Sequence, residues 1–280
     1  MSVVKQARLL RKGKVKNIYT LPDDKLLFEF SDRVSAFDVV LPTPIPKKGE
    51  VLCKFAKFWF DVLDCPNHMV DVVDANKMVV KKLKMIPVEC IVRGYLYGSL
   101  FERVKKGIVK YEGEKILAAK LPKPIFDPTT KSETHDLPIT KQEAVSAGLV
   151  NNQTYDFLSK KSIDLYLQMA NIASKAGFII ADIKFEFGMD GNKIILADSI
   201  GPDEFRLWPK EKYLPGKTQE AFDKQLVRDW LIGVGYKDKV DEAAKNDRPA
   251  PKPPELPNDL VVQVSKRYVE SYERITGRKL

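Results

Sequence analysis

Histidine and cysteine are scarce in this 280-residue chain, which has only His68 and His135, and Cys53, Cys65 and Cys90. The cysteines show no C-x-x-C spacing, so they build neither a disulfide scaffold nor a thiolate metal site and read as structural thiols of a reducing compartment. Two isolated histidines argue against a His-rich zinc site and against a nucleophile–His system. Long apolar runs are also missing: none approaches the roughly 18 to 20 residues that a spanning helix needs. The opening MSVVKQARLLRKGK has no apolar h-region, so no secretory signal and no membrane association are expected, and a cytoplasmic location follows. Glycine (15) and proline (18) are too few for collagen or a low-complexity chain.

Charge is what the chain has in quantity, with 47 Lys+Arg against 38 Asp+Glu and a formal net charge of +9. The cations are spread along the whole sequence instead of gathered in one arm. That pattern favours a solvated basic surface that attracts anionic metabolites, and no nucleic-acid partner is expected. With His and Cys excluded, chemistry falls to Lys, Arg, Asp and Glu, the groups that handle phosphates and Mg²⁺. A length of 280 with 44% hydrophobic residues allows one large domain or two lobes.

The first ninety residues read as strands with turns. LLFEFS (26–31) and MVVKKLK (78–84) are β-like, and between them Leu52, Phe55, Phe58, Trp59 and Val62 recur at helical spacing. Residues 87–107 predict a strand that turns at Gly94 and Gly98 into a short helix ending at Gly107. Residues 121–138 hold four prolines and no apolar period, which predicts a long loop. Thr140 and Glu143 form a capping-box pattern for a helix closed by Gly148, and a long helix follows over Tyr155–Ala176. Phe222, Leu226 and Trp230 mark a further helix, and Val261, Val264, Tyr268, Tyr272 and Ile275 line a terminal one.

The strongest chemical signal lies in FIIADIKFEFGMDGNKIILADS, a predicted hairpin around Asp190-Gly191. Asp182, Lys184 and Glu186 alternate with Ile183, Phe185 and Phe187, so a strand has one charged and one apolar face. An odd-length loop brings Asp198 across from Asp182 on the charged face, whereas a two-residue turn opposes it to Ile183. The plain alternative is a solvated edge with a cross-strand ion pair. Three other segments carry similar chemistry. In RKGKVKNIY, Gly13 allows close backbone approach, Lys14 and Lys16 alternate on one strand face, and the reading is a loop over phosphates or a basic exposed strand. ECIVRGYLYGS offers Arg93 and Ser99 as a phosphate cradle, and PDEFRLW sets Arg206 in an apolar run. For either arginine a structural salt bridge is the alternative.

Taken in order, GKVKNIY, SDRVSAFDVV, IPKKG, VECIVRGYLYGS, PIFDPTTKSETHD, IADIKFEFG, PDEFRLW, FDKQLVRDWL and RYVESYERITG closely resemble the SAICAR synthetase family. The resemblance runs from about residue 8 to the C-terminus. It implies an α+β fold of two lobes with an ATP-grasp or kinase-like nucleotide cleft, an antiparallel N-terminal sheet over residues 1–86 and a larger lobe over 87–280. It implies an ATP-dependent amide ligase of purine biosynthesis that joins L-aspartate to carboxyaminoimidazole ribotide through an acyl phosphate, working as a monomer or homodimer with ATP and Mg²⁺. Carried over by motif, Gly13, Lys14, Val15 and Lys16 match the loop over the ATP phosphates, and Leu83, Met85 and Val88 match the hinge that meets adenine. Arg93, Ser99 and Arg206 match the ribotide phosphate site. Lys184, with Asp182 beside it, matches the reacting centre, and Glu186 and Asp198 match Mg²⁺ ligands. Thr130, Lys131, Glu133 and Asp136 match the substrate loop, and Ser35 and Asp38 match a stretch assigned to substrate.

The chain departs from the family pattern at one place. The family usually has Asp-Glu, where this chain has Asp198-Ser199 followed by Gly201-Pro202-Asp203. One carboxylate is missing from the expected site, which leaves open an active variant that uses another acid such as Asp182 or Asp203. A small-molecule kinase and a basic nucleic-acid-binding protein are the rival readings.

Overall fold

A computed structural model describes residues 7–131 and 137–280. The chain begins with β1 (Arg8–Lys12), β2 (Lys16–Leu21) and β3 (Lys25–Phe30), then a short pair, β4 (Ser35–Ala36) and β5 (Val39–Val40). After helix α1 (Lys48–Val62), strands β6 (Met69–Asp74) and β7 (Lys77–Lys81) complete an antiparallel sheet ordered β1-β2-β3-β7-β6. Alternation assigns its faces: Phe28 and Phe30 enter the main core, while Leu27 joins Leu21 and Val79 in a small cluster of its own. The β1–β2 turn requires Gly13, because a Cβ there would stand 2.8 Å from the Lys16 carbonyl oxygen. In α1, Leu52, Phe55, Phe58 and Trp59 are buried as expected, but Val62 is exposed. It is the last helical residue, and the extended Leu63 directly after it turns into the core instead.

The second sheet is built on one strand. The chain continues through β8 (Lys84–Met85), β9 (Val88–Tyr95), α2 (Gly98–Lys105), β10 (Lys120–Phe126), β11 (Thr129–Thr130), α3 (Lys141–Ser146) and α4 (Asn152–Lys175) to the 13-residue β12 (Phe178–Asp190). β13 (Lys193–Ala197) and β14 (Phe205–Pro209) follow, and β12 pairs antiparallel with β8, β9, β13 and β14. Its apolar face, Ile183, Phe185 and Phe187, is sealed in the core with Leu158, Leu165 and Met169 of α4. Helices α5 (Gln225–Gly233), α6 (Tyr236–Lys245) and α7 (Asn258–Thr276) complete the chain. Among the described residues no helix is long and apolar enough to cross a membrane.

Several expectations are corrected. Much of 121–138 is strand, with β10 and β11 both paired to β9. Pro122 and Pro124 fit because β10 lies at the sheet edge, where a missing N–H donor is harmless, and its register slips between Lys120 and Ile125. Gly94 lies inside β9 and makes no turn. What it provides is clearance, since a Cβ would sit 1.8 Å from the Tyr166 Oη that donates to the Ile180 carbonyl oxygen. The turn into α2 is made at Gly98, at φ +57°. Lys14 precedes β2, so it does not share a strand face with Lys16. Phe222 precedes α5, and α6 was not anticipated because only Tyr236 of its residues is buried. The capping box at Thr140 and Glu143, the long α4 and the apolar face of α7 are all present.

α1 is fastened to α7 and β14: the Phe55 ring meets Tyr272 and Phe205 edge-on at 5.3 and 5.9 Å. Beside this contact the fully buried Lys48 pairs with Asp203 at 2.7 Å, and Tyr268 Oη donates to the same carboxylate at 2.8 Å. Removing one partner of such a pair leaves an uncompensated buried charge. Lys48→Met should therefore lower the unfolding free energy by about 3–5 kcal/mol in chemical denaturation, and Lys48→Met with Asp203→Leu should lose much less.

Candidate active site

Strand register puts the charged face of β12 at the centre of a cleft. Asp182 stands opposite Arg93 of β9 on one side and Arg206 of β14 on the other. Arg206 Nη1 donates to Asp182 Oδ2 at 2.6 Å, while Arg93 Nη1 is 3.5 Å from the same oxygen. Arg93 also donates to Ser99 Oγ at 2.9 Å and to Asp127 at 2.5 Å, and Arg103 shares Asp127. Burial works against the Arg206 charge, but Asp182 and Asp223 outweigh it and raise the guanidinium pKa further. Arg206 Nε remains buried without a hydrogen-bond partner.

Two residues along the same face, Lys184 lies between Glu89 and Glu186, at 2.7 and 3.0 Å. Burial disfavours this ammonium, but Glu186 and Glu89 outweigh it and lift its pKa above the ordinary value. Burial raises Glu186 in turn, yet Lys184 and Lys131 overcome it and bring the carboxyl down to about 2. Lys131 is hydrogen-bonded to Glu186, and Lys16 to Asp198. Burial lowers the Lys16 ammonium to about 8. The loop at Gly13 and the hairpin of β12 and β13 therefore meet through ion pairs between lysines and carboxylates.

Asp198 reaches this place by a different route from the expected one. The turn has two residues, Gly191 and Asn192, with Asp190 paired to Lys193 and Glu186 to Ala197, so Asp198 does not lie across from Asp182. The strand ends at Ala197, and Asp198 adopts φ +60°, which swings it out of the ladder toward Lys16. Ser199 Oγ stands 3.3 Å from the same ammonium.

Some functional candidates escaped the sequence reading. A cavity of about 300 Å³ beside Arg93, Lys184 and Arg206 is also lined by Glu204, Lys224 and Arg228. Lys224 caps α5 and Arg228 follows four residues later, so both cations sit at a helix N-terminus, the end that repels them. Burial pushes Lys224 down to about 8, with Asp203 opposing, and burial and Arg206 together lower Arg228. Two cations held against both a helix dipole and desolvation are suited to meet an anion. The segment FDKQLVRDWL carried this i, i+4 pair in plain view. Glu204 was passed over as well. Burial and the Asp203 charge raise its carboxyl to about 7, and its Oε2 is buried without a hydrogen-bond partner.

The remaining candidates are placed as follows. Lys14 pairs with Asp38 at 2.5 Å, and Asp38 sits with Phe37 in a two-residue turn in which both have positive φ. Ser35 is buried in β4. Arg33 Nη2 donates to the Gly13 carbonyl oxygen and to Asn17 Oδ1, which holds the loop containing Val15 against the sheet. Leu83 packs at Gly188, Met85 pairs with Gly188 in β8, and Val88 is buried, so that this stretch bridges the two sheets. Thr130 pairs with Val88 in β11 and accepts a hydrogen bond from the Leu137 N–H. Glu133 and Asp136 lie outside the described residues.

Among the described residues no group of three or more His, Cys, Asp and Glu can hold a metal ion alone. Glu186 and Asp198, two hard-oxygen donors already facing ammonium groups, suit Mg²⁺, which binds through one or two carboxylates and completes its shell with phosphate oxygens and water.

His68 closes the back of this site. Its ring meets Phe28 and Phe60 edge-on, and its Nε2 lies 3.0 Å from the Asp198 carbonyl oxygen, so the neutral ring donates from Nε2. Burial, helped by Lys16, lowers its pKa to about 3. On acidification the unfolded chain takes up this proton first, and stability is lost as pH falls from about 6.5 toward 3. The stability advantage of the wild type over His68→Gln should shrink by about 1.4 kcal/mol per pH unit below pH 6.5. A constant difference would mean that His68 titrates normally in the fold.

The SAICAR synthetase family model matches residues 9–245. The phosphoribosylaminoimidazole-succinocarboxamide synthase of Nitrosopumilus maritimus (strain SCM1) is 54% identical over 273 residues, 97% of this chain and 99% of that protein. A SAICAR synthase from Saccharomyces cerevisiae, solved in complex with SAICAR, superposes with a TM-score of 0.82 at 35% identity, covering 98% of this chain and 96% of that one. A SAICAR synthetase in complex with ADP gives 0.74 at 28% identity, covering 96% and 98%. On the match of family model, sequence and fold along nearly its whole length, the chain belongs to the SAICAR synthetase family, ligases that use ATP to join L-aspartate to carboxyaminoimidazole ribotide.

Proposed function

We propose that the cleft between the N-terminal sheet and the charged face of β12 performs this ligation, with the roles divided by charge. The ribotide phosphate is held by Arg93, Ser99 and Arg206, with Lys224 and Arg228 completing the anion site. ATP lies under the Gly13–Lys16 loop, with its base toward Leu83–Val88. Glu186 and Asp198 hold Mg²⁺, which when bound neutralises phosphate charge and orients the transferred group. Thr130, Lys131, Ser35 and Asp38 border the substrates, and residues 1–86 act as the ATP-covering lobe over 87–280. The enzyme works in the cytoplasm on small-molecule substrates, as a monomer or homodimer.

A carboxylate is a poor electrophile at neutral pH. Its oxygen attacks the γ-phosphorus, ADP departs, and the resulting acyl phosphate is open to the aspartate amine. The amine forms the C–N bond, loses a proton and expels phosphate. This chain's residues contribute position and charge: Lys184 faces the transferred group, Lys16 and Lys131 follow the phosphates, and the two arginines fix the ribotide. The observation that carries the reading is that Lys16, from one sheet, and Lys184, from the other, meet the carboxylates of Asp198 and Glu186 in a single cluster.

The decisive experiment is phosphate release from ATP with carboxyaminoimidazole ribotide, with and without aspartate. Release should require both, and equal release with neither would reject the ligase. Arg93→Lys should raise the ribotide KM roughly tenfold with little change in the ATP KM, because a bidentate fork becomes a point charge. Glu186→Gln and Asp198→Asn should each shift the Mg²⁺ titration of activity to higher concentration. Unchanged titrations in both would place the metal elsewhere.

A further inference from the structure

A line of alternating charge runs through the wall of the cavity. Arg103 of α2 and Arg93 of β9 share the Asp127 carboxylate, and Arg93 and Arg206 share that of Asp182. Arg93, Ser99, Asp182 and Arg206 line the cavity, whereas Asp127 and Arg103 are not part of its lining. The backbone of Asp127 is fixed independently of its side chain. The residue joins β10 to β11, its N–H donates to the Ile91 carbonyl oxygen at 2.8 Å, and Pro128 after it disfavours a helical backbone. Arg103 lies four residues after Ser99 in α2, so the two side chains share a helix face. That helix therefore holds Arg93 twice. Ser99 Oγ accepts from Arg93 Nη2 at 2.9 Å, and Arg103 Nη2 grips at 2.5 Å the same Asp127 Oδ2 that accepts from Arg93 Nε at 2.5 Å.

A guanidinium carries its N–H donors in one rigid plane. Asp127 takes the donor on Nε, next to the stem, while Nη2 gives one donor to Ser99 and Nη1 one to Asp182 at the long distance of 3.5 Å. Among the described residues, these contacts leave N–H donors on both Nη atoms for an anion in the cavity. The line also holds three arginines against two aspartates, a positive surplus that an anion at the tip of Arg93 would neutralise. Bidentate recognition of phosphate depends on the orientation of the fork, and an arginine with no acceptor at Nε is free to turn about its last side-chain bonds. We propose that Asp127 is a positioning residue for the ribotide phosphate: without touching the substrate, it sets the plane of Arg93 so that both Nη atoms meet phosphate oxygens. This inference rests on the assignment of Arg93 to the phosphate given above.

The test measures the ribotide KM of the full chain, with ribose 5-phosphate as a competitive probe of the phosphate site and thermal melts alongside. Asp127→Asn keeps an acceptor for Nε but loses the charge. The ribotide KM and the ribose 5-phosphate inhibition constant should therefore rise roughly fivefold, while the ATP KM and kcat stay within about twofold of wild type. A lysine at position 93 has no Nε–H for Asp127 to hold and no plane to set. Asp127→Asn added to Arg93→Lys should therefore raise the ribotide KM by no more than about twofold beyond the roughly tenfold rise of Arg93→Lys alone, whereas independent effects would multiply to about fiftyfold. Asp127→Glu keeps the charge but sets it one methylene further out, and it should raise the ribotide KM in the same way even if Asp127→Asn does not fold. An unchanged ribotide KM in a folded variant, an equal rise in the ATP KM, or multiplying effects in the double variant would each overturn the proposal. A ribotide KM that Arg93→Lys leaves unchanged would instead overturn the assignment of the phosphate site, and the proposal with it.

Discussion

Burial of Asp182 between two arginines is the constraint around which the second sheet is organised. A carboxylate at 5% exposure is tolerated only when its charge is matched, and here the match comes from the strands on either side of β12, at the same level of the ladder. Because side chains alternate along a strand, fixing Asp182 on the charged face also fixes Lys184 and Glu186 there and sends Ile183, Phe185 and Phe187 toward α4. A one-residue slip would bury Lys184 in the core and strand both arginines. The ion triad therefore specifies register as well as charge, and the charged face inherits its precision from the packing of the opposite face.

Much of this was legible in the sequence, where the physics was periodic. The alternation in FIIADIKFEF, the apolar spacing of α4 and α7 and the capping box at Thr140 are local patterns, and each appears in the fold. The failures were of another kind. Pro122 and Pro124 suggested a loop because proline cannot donate, but on an edge strand the donor is not needed. Asp198 was judged by the register of a hairpin, whereas its left-handed backbone takes it out of the ladder. Glu204 carries no local pattern that marks it as a site residue, and the i, i+4 pair of Lys224 and Arg228 looks in the sequence like any solvated helix face. Their meaning depends on burial and on which distant charges they face, quantities that exist only after the chain has folded.

The charged groups of the cleft are one another's counter-ions. Lys16 sits on Asp198, Lys131 on Glu186, and Lys184 between Glu186 and Glu89. Every group proposed to hold the metal thus holds an ammonium, and the ammonium groups proposed to hold phosphates are bound to carboxylates. A divalent cation arriving alone would strip those lysines of their partners, and a nucleotide arriving alone would have to compete with buried carboxylates for the same ammonium groups. Arriving together, the metal takes the carboxylates and the phosphates take the lysines, so opposite charges are exchanged and none is left bare in a cleft where the effective dielectric is low. On the proposed assignment, metal and nucleotide binding would be coupled through charge. Pairing of each buried charge with an opposite one is what allows the cleft to be rich in buried charge. On the proposed assignment, the charges that catalysis would use are paired with one another within the protein.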